Sequence, residues 1–181
     1  LKLDASFNIL SETRTASAGQ TNASGIPLID SSGNILAVLF DSTIGSGGGG
    51  ILFKINSALN SANYLTYNIG NTVLRIVKDA AITTTNQLVY AGSYLVAGGC
   101  CIYSAYATVT SVSAATPTAT PTWQVWNLTG AVGDFDVIAL DSSDNVYVGM
   151  LYHGAPNNNT LVKISSAGAV QWQYSYSNML H

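Results

Sequence analysis

FDVIALDSSDNVYVGMLYHGAPNNNTLVKISSAGAVQWQYSYSN, residues 135–178, decides the fold. It reads as a short strand, a tight turn, a long strand, a loop, a third strand, a second tight turn and a fourth strand. Each segment has strand length, is bounded by turn residues, and is rich in Val, Ile, Tyr and Trp. No window of helix length shows i, i+3, i+4 apolar spacing, so the chain is expected to be nearly all β.

The two turns have a physical basis. In Asp141-Ser142-Ser143-Asp144-Asn145 the Asp141 side chain can accept from backbone N–H groups two and three residues on, closing a hairpin. The fourth position is expected at positive φ, which Asp144 tolerates better than most residues. Gly168 does similar work in the second hairpin. In the last strand Val170, Trp172, Tyr174 and Tyr176 alternate with Gln171, Gln173, Ser175 and Ser177, which predicts one buried and one wet face. Val146–Tyr152 is apolar on both faces apart from Gly149 and is expected to lie between neighbouring sheets.

Weaker copies lie upstream. Asp30-Ser31-Ser32-Gly33-Asn34 precedes Asp141-Ser142-Ser143-Asp144-Asn145 by 111 residues, and Leu52-Phe53-Lys54-Ile55 precedes Leu161-Val162-Lys163-Ile164 by 109. Trp123-Gln124 matches Trp172-Gln173, and Leu1-Lys2-Leu3 opens another copy. These anchors define a unit of roughly fifty residues with loops of varying length. Residues 1–20 form the back half of a unit, 25–69 a second, 72–128 a third and 134–178 the last. In the third, the first turn is read as Asp79–Thr85, and Thr108–Thr122 as a Ser/Thr/Pro-rich insertion, since Pro117 and Pro121 disfavour a central strand.

Four antiparallel strands per repeat, with inner strands covered on both faces, describe blades of a β-propeller. Half a unit plus three makes about 3.5 blades, where closed propellers typically need at least four. The chain opens on Leu1 rather than Met, so the expected explanation is a piece of a longer protein. Completion by another chain and an open stack are the alternatives.

Composition limits the job. Charged residues are 8% of the 181 and hydrophobic residues 48%, against about 25% charged in an ordinary globular protein. That is ample for a core and unlike a disordered tail. Six Lys+Arg against nine Asp+Glu give a net charge of −3, with no basic run to neutralise phosphates, which argues against nucleic acid. No apolar run approaches the ~20 residues of a membrane helix. Cys100 and Cys101 are adjacent and are read as small strand residues rather than a metal set.

The Asp-Ser-Ser-Gly-Asn turn followed by apolar residues, then Leu-Val-Lys-Ile, a Gly turn and Trp-Gln, resembles the SBBP-type β-propeller repeats of bacterial and phage proteins. The resemblance covers nearly the whole chain and is weakest in the third unit. It implies a non-enzymatic structural or binding protein, such as a propeller of a phage tail fibre or tail tip. It also implies assembly with other virion or surface subunits or with copies of itself, and attachment to a glycan or protein on a host surface. A secreted bacterial adhesin or surface-layer propeller is the first alternative, and a propeller hydrolase or lyase the second. The family has no shared catalytic residues, and none is carried over.

The residues agree with that restraint. Most carboxylates fall at expected turns. Asp134 and Asp136, two apart on a strand, would share a face and could serve acid–base work or Ca2+, although a solvated blade edge is the plainer reading. No catalytic, metal or cofactor residue is assigned. Structural turn positions are Asp30, Gly33, Asn34, Asp141, Asp144, Asn145 and Gly168. Candidate partner-binding residues are Tyr152, His153, Trp123, Trp126, Tyr174 and Tyr176, because aromatic rings stack on sugars and anchor protein interfaces.

Overall fold

The computed structural model describes residues 2–3, 9–11, 25–41, 49–58, 62–67, 72–98, 102–114, 121–126, 134–151 and 158–177. Every regular element among them is a strand. β1 (Lys2–Leu3) and β2 (Ile9–Ser11) pair antiparallel. Three four-stranded antiparallel meanders follow, each with its strands in chain order. The first sheet holds β3 (Gly25–Ile29), β4 (Ile35–Asp41), β5 (Gly49–Ile55) and β6 (Ala62–Tyr67). The middle sheet holds β7 (Thr72–Ile82), β8 (Gln87–Gly98), β9 (Ile102–Ser113) and β10 (Trp123–Trp126). The last holds β11 (Asp134–Leu140), β12 (Val146–Leu151), β13 (Asn158–Ile164) and β14 (Val170–Ser177).

Four hairpin turns share one design. The first residue's N–H donates to the fifth residue's carbonyl, and the fourth's N–H donates back to the first's carbonyl. This is a type I turn closed by a left-handed residue, a common three-residue hairpin loop. The left-handed residues are Gly33 (φ 75°), Asn86 (φ 62°), Asp144 (φ 59°) and Gly168 (φ 85°). A side-chain oxygen of the first residue accepts the fifth N–H in each: Asp30 from Asn34, Thr83 from Gln87, Asp141 from Asn145 and Ser165 from Ala169. The two Asp residues also accept the third N–H. The carboxylate therefore reaches two and four residues on, not two and three, because a strand donor follows the left-handed residue.

The middle unit departs from its expected boundaries. Its first turn is Thr83–Asn86 rather than Asp79–Thr85, and β7 continues to Ile82. Thr replaces the turn Asp and Asn replaces the Gly, so the same geometry arises from different letters. Asp79 lies in β7, beside a bulge. β9 continues through Ser113, so the first part of the Thr108–Thr122 segment is strand. Its Val109 and Val112 are fully buried, which rewards extension despite the surrounding Ser and Thr.

The middle sheet is covered on both faces, as alternation along β8 makes plain. Leu88 and Tyr90 join Leu36, Ala80, Val112 and Ala114 in a core shared with the first sheet. Val89 and Ala91 join Val109 on the other face, against Phe135, Val146, Val148, Met150, Val162 and Ile164 of the last sheet. Burying each Val, Leu, Ile, Phe or Met among them contributes roughly 1.5–3 kcal/mol. Each later sheet lays its first strand against the preceding sheet: β7 meets β3, β4 and β5, and β11 meets β7, β8 and β9. Each of the three is an open sheet with two edge strands.

The expected buried face of β14 is not observed. Val170, Trp172, Tyr174 and Tyr176 are all exposed, because β14 is an edge strand and no described element packs over its apolar side. β12, an inner strand, is covered on one face only, since no described element packs over the face bearing Tyr147: Val146, Val148 and Met150 are buried, and Tyr147 is half-buried. Cys100, Cys101, Pro117, Tyr152, His153 and residues 12–24 lie outside the described residues.

Candidate functional site

A row of residues crosses each sheet at the same register, and Leu36 and Lys54 in the first row and Val89 and Trp123 in the middle row face the following sheet. In the first sheet it is Leu36–Lys54–Asn63, in the middle sheet Val89–Ser111–Trp123, and in the last sheet Tyr147–Lys163–Trp172. The three rows begin six residues after Asp30, Thr83 and Asp141, so identical turns fix identical registers.

Each inner row uses one donor to hold the following sheet. Lys54 Nζ donates to the Ala114 carbonyl at 2.6 Å while sitting 3.4 Å from the Asp30 carboxylate. One junction later the Trp123 indole N–H donates to the Ser166 carbonyl at 3.0 Å. Ala114 and Ser166 occupy the same place, three residues past the central member of their own rows. Where Lys gives way to Ser111, Trp123 takes over the donation.

The turns add a second clasp. The Asp144 carboxylate accepts from the Thr84 N–H at 2.9 Å and from its hydroxyl at 2.7 Å. Thr84 sits in the middle sheet's turn and Asp144 in the last sheet's, so the clasp joins the two. This is why a carboxylate occupies a left-handed position that glycine would fill without strain. The Thr84 hydroxyl and N–H hold Asp144 below the usual carboxylate range. Near the first strands, Asp79 accepts the Ile138 N–H at 2.9 Å, and Lys78 stands 3.7 Å from Asp136.

That last pair changes the reading of Asp134 and Asp136. A bulge between Phe135 and Val137 breaks the two-residue period, so spacing no longer places both carboxylates on one face. Asp136 pairs across the sheets instead. The side chain of Asp134 lies outside the described residues. Among the described residues, no three or more His, Cys, Asp or Glu gather as a metal site would require.

The turn carboxylates are committed to their hairpins. The Asn145 side-chain amide is the main cause holding Asp141 down to about 2, helped by the Asn145 and Ser143 N–H groups and the Tyr147 hydroxyl. Burial pushes Asp30 up, but the Asn34 amide and N–H, the Ser32 N–H and Lys54 outweigh it and leave it below its ordinary value.

On the last sheet the row is uncovered. Tyr147 and Trp172 meet edge to face at 6.1 Å, and Lys163 lies 5.0 Å from the Tyr147 ring centroid and 3.7 Å from Asp141. Leu161, Trp172, Gln173, Tyr174 and Tyr176 line a shallow open groove of about 300 Å³. Tyr174 and Tyr176 pack at 4.5 Å.

The candidate residues thus separate. Tyr174 and Tyr176 lie on this open face. Trp123 lies in the junction between the middle and last sheets. Trp126 belongs to β10, but its side chain, like Tyr152 and His153, is outside the described residues. Sequence reading missed the rows themselves. The Lys54/Lys163 and Trp123/Trp172 recurrences were their trace, legible as repeat anchors but not as donors to a neighbouring sheet. No family model matches the chain, and no curated protein matches it.

Proposed function

We propose that the chain is a non-enzymatic structural protein built of propeller-type blades, working in assembly as part of a phage tail fibre or tail tip. The observation that carries the structural role is the repeated row: two copies join sheets inside the chain, and the third stands open. Large uncovered apolar faces mark sites of association. The propeller reading rests on the sequence repeat and on stacked four-stranded meanders with strands in chain order, the build of propeller blades. The virion setting rests on the sequence resemblance and on charge-poor, Ser/Thr/Asn-rich β composition. Host-surface attachment belongs to the same proposal, with the exposed Tyr and Trp rings as its contact chemistry.

The experiment is mass spectrometry of purified particles with immunogold labelling by antibodies to this chain. The proposal expects stoichiometric peptides from particles and label at one tail position. Label on bacterial cell surfaces, with none on particles, would overturn it in favour of an adhesin or surface-layer protein.

A further inference from the structure

We propose that the open face of the last sheet receives the first sheet of a second copy of this chain, head to tail. The inference rests on the structural role just proposed and names its partner.

The inner junctions supply the template. Each takes a row from one sheet, a donor in that row, and the carbonyl at the second residue of the next sheet's second turn. The last sheet has the row complete: Tyr147, Lys163 and Trp172, with both donor types that the inner junctions use singly. Trp172 stands where Trp123 stands, yet it is 41% exposed, and Tyr174 beside it is 57% exposed.

The chain also carries the matching surface. The residue just before each first turn is Ile29, Ile82 or Leu140. Ile82 packs into the core between the first and middle sheets, and Leu140 into the core between the middle and last. Ile29, at the same position in the first sheet, is 71% exposed. Its neighbour Leu28 packs toward the middle sheet, so Ile29 points away from it. The carbonyl equivalent to those of Ala114 and Ser166 belongs to Ser57, itself exposed. Among the described residues, the last sheet therefore holds an empty row, and the first sheet holds the strip and carbonyl that such rows accept.

Joining unlike ends is a heterologous contact, which closes into a ring or extends as a filament. Trp172 of one copy would donate to Ser57 of the second copy, and Ile29 of that second copy would cover Tyr147. A self-complementary contact of two last sheets would leave Ile29 exposed and supply no turn carbonyl.

The test is sedimentation velocity of the full-length native polypeptide across a wide concentration range, with Trp172→Asp and Ile29→Asp. Both positions are exposed, and circular dichroism with thermal unfolding checks that both variants fold. The expected result is concentration-dependent association of the wild type, weakened roughly tenfold or more in either variant. An equimolar mixture of the two variants restores a 1:1 dimer and nothing larger, since each keeps one good end. Self-association of Ile29→Asp at wild-type strength would overturn the proposal, as would a wild type that stays monomeric. Hydroxyl-radical footprinting reads the cause of a monomer: a protected Trp172 means that the same polypeptide covers the face, and a reactive one means that nothing does. A monomer still found in particles removes only the head-to-tail contact. Association by a protein absent from particles supports the contact and removes only the virion role.

Discussion

The Trp123 indole occupies the space a side chain on Gly168 would need: a Cβ there would sit 2.6 Å from Trp123 Cγ. Gly168 is also left-handed, at φ 85°, so two demands for glycine coincide at one junction. Gly33 meets only the left-handed demand, at φ 75°, since the nearest neighbour of a Cβ there would be Ser57 Cβ at 3.5 Å. Gly33→Ala is expected to cost about 1 kcal/mol from backbone strain, and Gly168→Ala about 2–4 kcal/mol from strain and overpacking together. Urea denaturation midpoints of the two variants test the difference, and equal losses would mean that the Trp123 contact is not made.

The Asp144–Thr84 clasp is measurable by a double-mutant cycle. Asp144→Ala alone mixes lost hydrogen bonds with the cost of a left-handed Ala. Crossing it with Thr84→Val cancels the backbone part. The expected coupling is about 1.5–3 kcal/mol, as for hydrogen bonds to a charged group. Additive losses would show that the two turns do not hold each other.

Acid should loosen the hairpins. Asp141 titrates from an ordinary value of 3.8 down to about 2 in the fold, and Asp30 and Asp144 are also lowered. A lowered carboxylate contributes stability that is present above its unfolded value and is lost as pH falls through its folded value. Stability should therefore be level above about pH 5 and decline between pH 3.8 and about 2. Thermal midpoints against pH measure this, and Asp141→Asn should flatten part of the decline. Asp141 is partly exposed, so added salt should shrink its share.

Ser111 stands where the other rows carry Lys54 and Lys163, and its buried hydroxyl finds no hydrogen-bond partner among the described residues. A buried polar atom without a partner costs about 1–3 kcal/mol of desolvation. Ser111→Ala removes that atom and leaves little void. It is expected to be neutral or to stabilise by up to about 1 kcal/mol, read by chemical denaturation. A clear loss would mean that the hydroxyl has a partner.

Much of the fold was legible in the sequence because its turns are chemically distinctive. Asp141 and Asp144, Asp30 and Gly33, and Gly168 each announce a hairpin by the residue type its geometry demands. The middle unit hid its turn because Thr83 and Asn86 satisfy the same demands with commoner letters. The bulges around Lys78 and Asp136 were invisible, since an extra strand residue carries no fixed signature. The open site was legible only in part. Alternation placed Trp172, Tyr174 and Tyr176 on one face, but burial depends on whether another sheet covers that face. Local sequence cannot supply that fact. Trp123 and Trp172 look alike in the chain and differ in surroundings.

If Trp172 repeats the role of Trp123, its face is covered in the working assembly. An electron cryomicroscopy reconstruction of the native assembly at side-chain resolution tests it most directly. The expected result is a further sheet over Tyr147, Lys163 and Trp172, with the Trp172 indole N–H directed at a turn carbonyl, as Trp123 is directed at Ser166. A solvent-exposed Trp172 in the assembled particle would contradict it.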